Sequence, residues 1–121
     1  MPKYLDLFAG AGGLSEGFVR AGYEPVAHVE MDVAACYSLK TRVSYHWLKK
    51  EGKLDVYNKY LNQEISRNEF YEEIPESVLK SVLNYEISDD SLEKIFAEID
   101  QMLDGEKLDL IVGNLWILRE E

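Results

Sequence analysis

The sequence predicts an α/β fold built on a parallel sheet, and three observations in its 121 residues carry that prediction. An apolar segment runs directly into a glycine loop and then a helical pattern, Leu5-Asp6-Leu7-Phe8-Ala9-Gly10-Ala11-Gly12-Gly13-Leu14-Ser15-Glu16-Gly17-Phe18. A second strand-like segment, residues 24–30, ends on an acid and leads into another helix. A near-continuous apolar run at residues 107–113 follows a third helical stretch. Strands and helices that alternate in this way make parallel strands joined by right-handed crossovers.

Each element has a local reason. Residues 4–9 are apolar except for Asp6, the pattern of a buried strand. Gly10, Gly12 and Gly13 form the turn, Leu14, Phe18 and Val19 recur at helical spacing, and Gly22 stops the helix. The second strand is entered through Pro25 and ends at Glu30. Asp32 caps a helix through about Thr41, with Ala35, Cys36 and Leu39 on its inner side. From 42 to 76 charged and aromatic residues alternate without a strand pattern. This stretch is longer than an ordinary strand-to-helix connection. It predicts a helical insertion, broken at Gly52 and Pro75, with residues 77–84 continuing as helix. Residues 85–88 predict a brief third strand. Asp89 or Asp90 then caps a helix carried by Leu92, Ile95, Phe96, Ile99 and Leu103 and ended by Asp104-Gly105. Residues 107–113 predict the fourth strand.

Composition bounds the function. At 121 residues one domain is expected, and 46% hydrophobic residues make the chain globular rather than disordered. No apolar run approaches a membrane span, and the start lacks the basic-then-apolar layout of a signal peptide, so no membrane partner and a cytoplasmic location are expected. Its single cysteine, Cys36, excludes an internal disulfide framework and argues against a cysteine-rich metal site. No metal-ligand spacing is present around His28 or His46. The net charge of -10 opposes binding to duplex DNA, whose non-specific affinity comes mainly from phosphate neutralisation by Lys and Arg.

Chemistry concentrates at the glycine loop. Gly10, Gly12 and Gly13 remove side chains where the backbone must turn tightly, and the next helix offers unpaired N–H groups to a polar ligand. Ser15 stands where the dinucleotide fingerprint G-x-G-x-x-G needs its third glycine, which counts against a dehydrogenase-type domain. No Gly-Lys-Ser/Thr follows, so the loop is not a phosphate-binding P-loop. Glu30, about twenty residues on, occupies the position of an acid that accepts hydrogen bonds from ribose hydroxyls. Cys36 lies on the helix after strand two, among neighbours that suit a small buried residue.

The loop string, with Val29-Glu30-Met31-Asp32, closely resembles the first two motifs of the DNA (cytosine-5)-methyltransferases, and Leu108-Asp109-Leu110-Ile111-Val112-Gly113 resembles the approach to that family's catalytic Pro-Cys loop. The resemblance covers the chain to about Gly113, loosely through the insertion. It implies a partial, Rossmann-like, three-layer methyltransferase sheet with strands in the order 3-2-1-4. It also implies methyl transfer from S-adenosylmethionine to cytosine C5 in DNA, as in restriction-modification systems. Carried over residue by residue, the cofactor site is Asp6, Phe8, Ala9, Gly10, Gly12, Gly13 and Leu14 at the loop. Glu30 takes the ribose, Met31 the adenine ring, and Glu86 with Ile87 the adenine amino group and ring edge. Asp89 and Asp90 are rivals of Glu86, and a helix cap accounts for both.

The departure lies in residues 114–121, Asn-Leu-Trp-Ile-Leu-Arg-Glu-Glu, where the family has its nucleophile loop. The expectation is an N-terminal part of a methyltransferase, residues 1–121, with a helical insertion at 42–84, a non-family tail at 114–121 and no catalytic residue of its own. Weak cofactor binding and weak or no DNA binding follow from the family contacts this stretch does not contain. The fourth strand is expected as an apolar edge, covered by Trp116-Ile117-Leu118 or by a second copy of the chain. An alternative is a module that holds S-adenosylmethionine and complements a separate chain bearing the remaining motifs.

Overall fold

The computed structural model describes residues 1–7 and 13–113, with Gly13 and Leu14 placed through their backbone alone. Phe8, Ala9, Gly10 and Gly12 of the loop, and the tail with Trp116-Ile117-Leu118, lie outside the described residues. Four strands, β1 (Lys3–Leu7), β2 (Glu24–Glu30), β3 (Val82–Asn84) and β4 (Leu110–Val112), form one sheet in the order β3-β2-β1-β4. Every pairing is parallel, so all four strands end along the same edge. The fold is α/β and Rossmann-like, with the strand order the resemblance implied.

Helix α6 (Asp89–Leu103) covers one face of the sheet. Ile95, Ile99 and Leu103 recur every four residues and pack on Leu5, Leu7, Ala27, Val29 and Leu83. The other face lies under α1 (Gly13–Arg20) and α2 (Val33–Glu51). There the buried ring of Tyr4 lies 5.4 Å from that of Phe18, tilted by 35°, and its hydroxyl hydrogen-bonds Ser15 of α1. Cys36 and Leu39 of α2 pack on Val82.

Helix α2 runs ten residues beyond Thr41, to Glu51. Its buried side continues through Ser44 and Leu48, which the mixed charged and aromatic composition conceals. Gly52 ends it in the left-handed conformation at φ 70°, and Lys49 and Lys50 favour the negative end of the helix dipole. Three short helices follow, α3 (Leu54–Leu61), α4 (Arg67–Glu72) and α5 (Glu76–Leu79). They enclose a second core in which Leu48, Phe70 and Ile74 are buried, with Tyr60 stacked on Phe70 at 4.4 Å. The tyrosines at 57 and 60 are therefore packing residues.

The third strand falls earlier than residues 85–88. It is Val82–Asn84, paired with residues 28–30 of β2, and the predicted helix over 77–84 stops at Leu79. Val78, Leu79, Val82 and Leu83 have helical spacing, but a strand this short has no room to show its own period. The cap of α6 is Ser88, which forms a reciprocal capping box with Ser91. Asp89 and Asp90 occupy the first turn instead, where their charge meets the positive helix end. Phe96 points outward, 38% exposed. Strand β4 is only three residues long, and Leu110 and Ile111 on it are 37% and 47% exposed. Among the described residues, no helix is long and apolar enough to cross a membrane.

Candidate functional site

In an open parallel sheet, ligands bind beyond the carboxyl ends of the strands, where the chain reverses its winding direction. In this order that point lies at β1, between β2 on one side and β4 on the other. Leu7 leads from β1 into the glycine loop, and Gly113 follows β4 beside it. A Cβ at Gly113 would stand 3.1 Å from the Leu7 carbonyl oxygen, a tight contact that any side chain there would have to relieve by shifting the two strand ends a few tenths of an ångström apart.

The end of β2 is held from three sides. The Asn84 side-chain amide donates to the carbonyl oxygens of Glu30 and Met31, both at 3.0 Å. The Cys36 thiol and the Tyr85 backbone N–H also donate to the Glu30 carbonyl, at 3.4 and 3.2 Å. The Glu30 carboxylate accepts the Asp32 backbone N–H at 2.7 Å, and Asp32 in turn caps α2 through the Ala35 N–H. Glu30 is thus a positioned acid at a strand end, and the adjoining Met31 is 61% exposed.

Glu86 is exposed, two residues past β3. Its carbonyl oxygen accepts the Ser91 hydroxyl at 2.6 Å, which ties this segment to the first turn of α6. Ile87 packs against the α6 side of the core. Because Tyr85 bonds to Glu30 through the backbone, the Glu86 segment starts at the end of β2. The structure therefore brings Glu30, Met31, Glu86 and Ile87 to one edge. Asp6 differs, being buried at 3% exposure within β1 and paired with His28 Nδ1 at 2.9 Å.

Cys36 is buried, 5% exposed. Burial pushes its thiol above the usual range, opposed by the hydrogen bond from Asn84. Buried thiols of this kind make poor nucleophiles. Among the described residues, no three His, Cys, Asp or Glu side chains gather as a metal set. A cleft of about 430 Å³ opens between α1, β2, α2 and α5, lined by Glu16, Val19, His28, Arg42, His46 and Trp47 among others. Among the described residues, none of the predicted cofactor residues lines it, so this cleft and the strand-end site are separate.

Sequence reasoning missed Asn84 and Glu16, and it placed His28 and His46 without their carboxylate partners. Asn84 was hidden by the misplaced third strand. His28 could have been found from its alternation with Glu30, since it shares that residue's face of β2. The Glu16–His46 contact spans thirty residues and leaves no local pattern.

A parallel β3-β2-β1-β4 sheet, with an acid at the end of β2 and a glycine-rich sequence after β1, defines a Rossmann-like α/β domain. The sequence profile of the C-5 cytosine-specific DNA methylases matches residues 2–66, and the chain belongs to that family. It is 42% identical over 90 residues to a type II methyltransferase of Bacillus paralicheniformis, covering 69% of this chain and 20% of that protein. It is 29% identical over 126 residues to a putative type II methyltransferase of Methanocaldococcus jannaschii, covering 93% of this chain and 34% of that protein. A shorter match, 54% identical over 39 residues, links it to a type II methyltransferase of Xanthomonas oryzae pv. oryzae, covering 32% of this chain and 9% of that protein. The chain thus spans at most about a third of the length of these relatives. No solved structure matches it.

Proposed function

We propose that residues 1–121 are the cofactor-binding front of a DNA (cytosine-5)-methyltransferase, the part that holds S-adenosylmethionine. The observation that carries this reading is the fixed geometry at the end of β2. Its peptide groups are tied to β3 and α2, its acid is braced by the Asp32 N–H, and Met31 and Glu86 stand exposed beside it. In this reading Glu30 accepts the ribose hydroxyls, Met31 lies against the adenine, and Glu86 with Ile87 meets the ring's amino edge. The loop residues Phe8, Ala9, Gly10, Gly12, Gly13 and Leu14 cradle the rest, and Asp6, buried in β1 and paired with His28, supports the strand that leads into them. When bound, S-adenosylmethionine supplies an electrophilic methyl group, and these residues orient it.

Residues 42–84 act as a helical insertion in this domain, and residues 114–121 as a tail outside the family pattern. This chain alone does not methylate DNA. Attack on cytosine C6 needs a thiolate, and the chain's single cysteine is buried on α2 beneath the Glu30 carbonyl. Cofactor binding is weak, and the acidic surface keeps DNA binding weaker still. Incubation with tritiated S-adenosylmethionine and duplex DNA should yield no labelled DNA, and stoichiometric labelling would overturn the claim of inactivity. S-Adenosylhomocysteine, not NAD, should raise the melting temperature, and the reverse would favour a dehydrogenase-type domain.

The exposed apolar pair Leu110 and Ile111 on β4 favours a second reading, a module completed by a separate chain or by a second copy pairing along this edge. Sedimentation of the purified chain, alone and with co-expressed methyltransferase segments, tests it. A monomer that captures no such segment contradicts it.

A further inference from the structure

The chain has two histidines, and each places a ring nitrogen 2.9 Å from a carboxylate that flanks the glycine loop. Before the loop, Asp6 of β1 pairs with His28 of β2. The two residues are register partners in the sheet, with side chains only 4% and 5% exposed. After the loop, Glu16 of α1 pairs with His46 of α2, and Arg42 Nη1 stands 3.5 Å from the same Glu16 oxygen. Both imidazoles therefore come from the β2–α2 unit, the unit that carries Glu30 and Met31.

The second pair does what packing does not. The cleft of about 430 Å³ lies between α1 and α2, so Glu16, His46 and Arg42 bridge the two helices across open space. On its other side α1 rests on Tyr4 and Tyr23 through Phe18. Without the bridge, α1 would be held from that side alone, by the aromatic contact and the Tyr4–Ser15 hydrogen bond.

We propose that His28 and His46 are positioning residues for the cofactor site, holding the strand that enters the loop and the helix that leaves it in register with Glu30. The inference rests on the cofactor-binding reading above. Its atomic content is specific: His28 acts through Nδ1 and His46 through Nε2. Asparagine can place a donor near the position of Nδ1, and glutamine near that of Nε2. The two sites should therefore show opposite amide preferences, which a role in bulk or polarity alone would not produce.

The test is calorimetric titration with S-adenosylhomocysteine of His28→Asn, His28→Gln, His46→Gln and His46→Asn, beside the unmodified chain. His28→Asn and His46→Gln should bind within about threefold of it, and the exchanged amides about tenfold more weakly, a difference of about 1.4 kcal/mol. Equal affinities for the two amides at either position, or the reversed preference, would overturn the proposal for that residue. His46 is 33% exposed, so its variants disturb the core less than those of buried His28, and they decide the case if His28→Gln does not fold. Amide hydrogen exchange of residues 13–20 is read in parallel without ligand. Faster exchange in His46→Asn than in His46→Gln supports the brace, and equal exchange contradicts it. If the unmodified chain binds no S-adenosylhomocysteine, the cofactor reading fails, and this exchange difference still decides whether the brace exists.

Discussion

Replacing Asn84 tests whether the end of β2 is held as described. Its amide makes two 3.0 Å bonds to the carbonyl oxygens of Glu30 and Met31 and reaches Cys36 Sγ at 3.6 Å. Asn84→Ala removes all three. A net intramolecular hydrogen bond contributes about 0.5–1.5 kcal/mol, and water can replace donors at this exposed position. The Glu30 carbonyl also keeps the Tyr85 N–H and the Cys36 thiol. The expected loss is therefore about 1–2 kcal/mol. At about 2.1 cal/mol/K per residue, a chain of this length melts with an entropy near 0.25 kcal/mol/K, so each kcal/mol shifts the midpoint by about 4 °C. The midpoint should fall by about 4–8 °C, read by circular dichroism and checked against urea unfolding. Asn84→Asp should cost more, because it turns a carboxylate toward two carbonyl oxygens. A midpoint within 1 °C of the unmodified chain, or Asn84→Asp more stable than Asn84→Ala, would refute the reasoning.

Three further outcomes follow from the same structure. Phe70, fully buried and stacked on Tyr60, anchors the helical insertion, so Phe70→Ala should cost about 3–5 kcal/mol in urea unfolding, and a loss under 1 kcal/mol would deny that core. Burial raises the Glu16 carboxyl, but the hydrogen bond and charge of His46 and the charge of Arg42 outweigh it and hold the group below its usual range. Its contribution is thus present above the ordinary carboxylate range and lost as pH falls through the lowered value. The stability difference between the chain and Glu16→Gln should shrink as pH falls from about 5 toward 3, and a constant difference would contradict the pairing. Cys36, buried and raised by desolvation, should react with iodoacetamide at pH 7.5 far more slowly in the native state than in urea, and equal rates would show that the thiol is accessible.

The parts of the fold legible in the sequence were those with strong local signals. The strands Lys3–Leu7 and Glu24–Glu30 were readable because burial on both faces demands apolar residues, and the helix over 89–103 because its inner residues keep a period near 3.6. The strand order came from the motifs that flank the glycine loop, not from periodicity. Residues 80–88 were misread for a physical reason. A three-residue strand is defined by its partners, and Val82 and Leu83 become strand only because β2 offers them hydrogen bonds. Ser88 was passed over as a cap because two acids follow it, and those acids serve the helix dipole instead. At the site, Glu30 and Met31 were legible from their place after strand two. The pairings of Asp6 with His28 and Glu16 with His46 were not, since parallel crossovers bring together residues 22 and 30 positions apart.

The central claim is that this chain holds the adenosyl part of S-adenosylmethionine through the acid at the end of β2. Calorimetric titration of the purified chain with S-adenosylhomocysteine, beside Glu30→Ala, tests it most directly. The account predicts weak, saturable, one-to-one binding that Glu30→Ala reduces at least tenfold while its circular dichroism spectrum is unchanged. Binding unaffected by the substitution, or no binding by a folded chain at millimolar ligand, would contradict it.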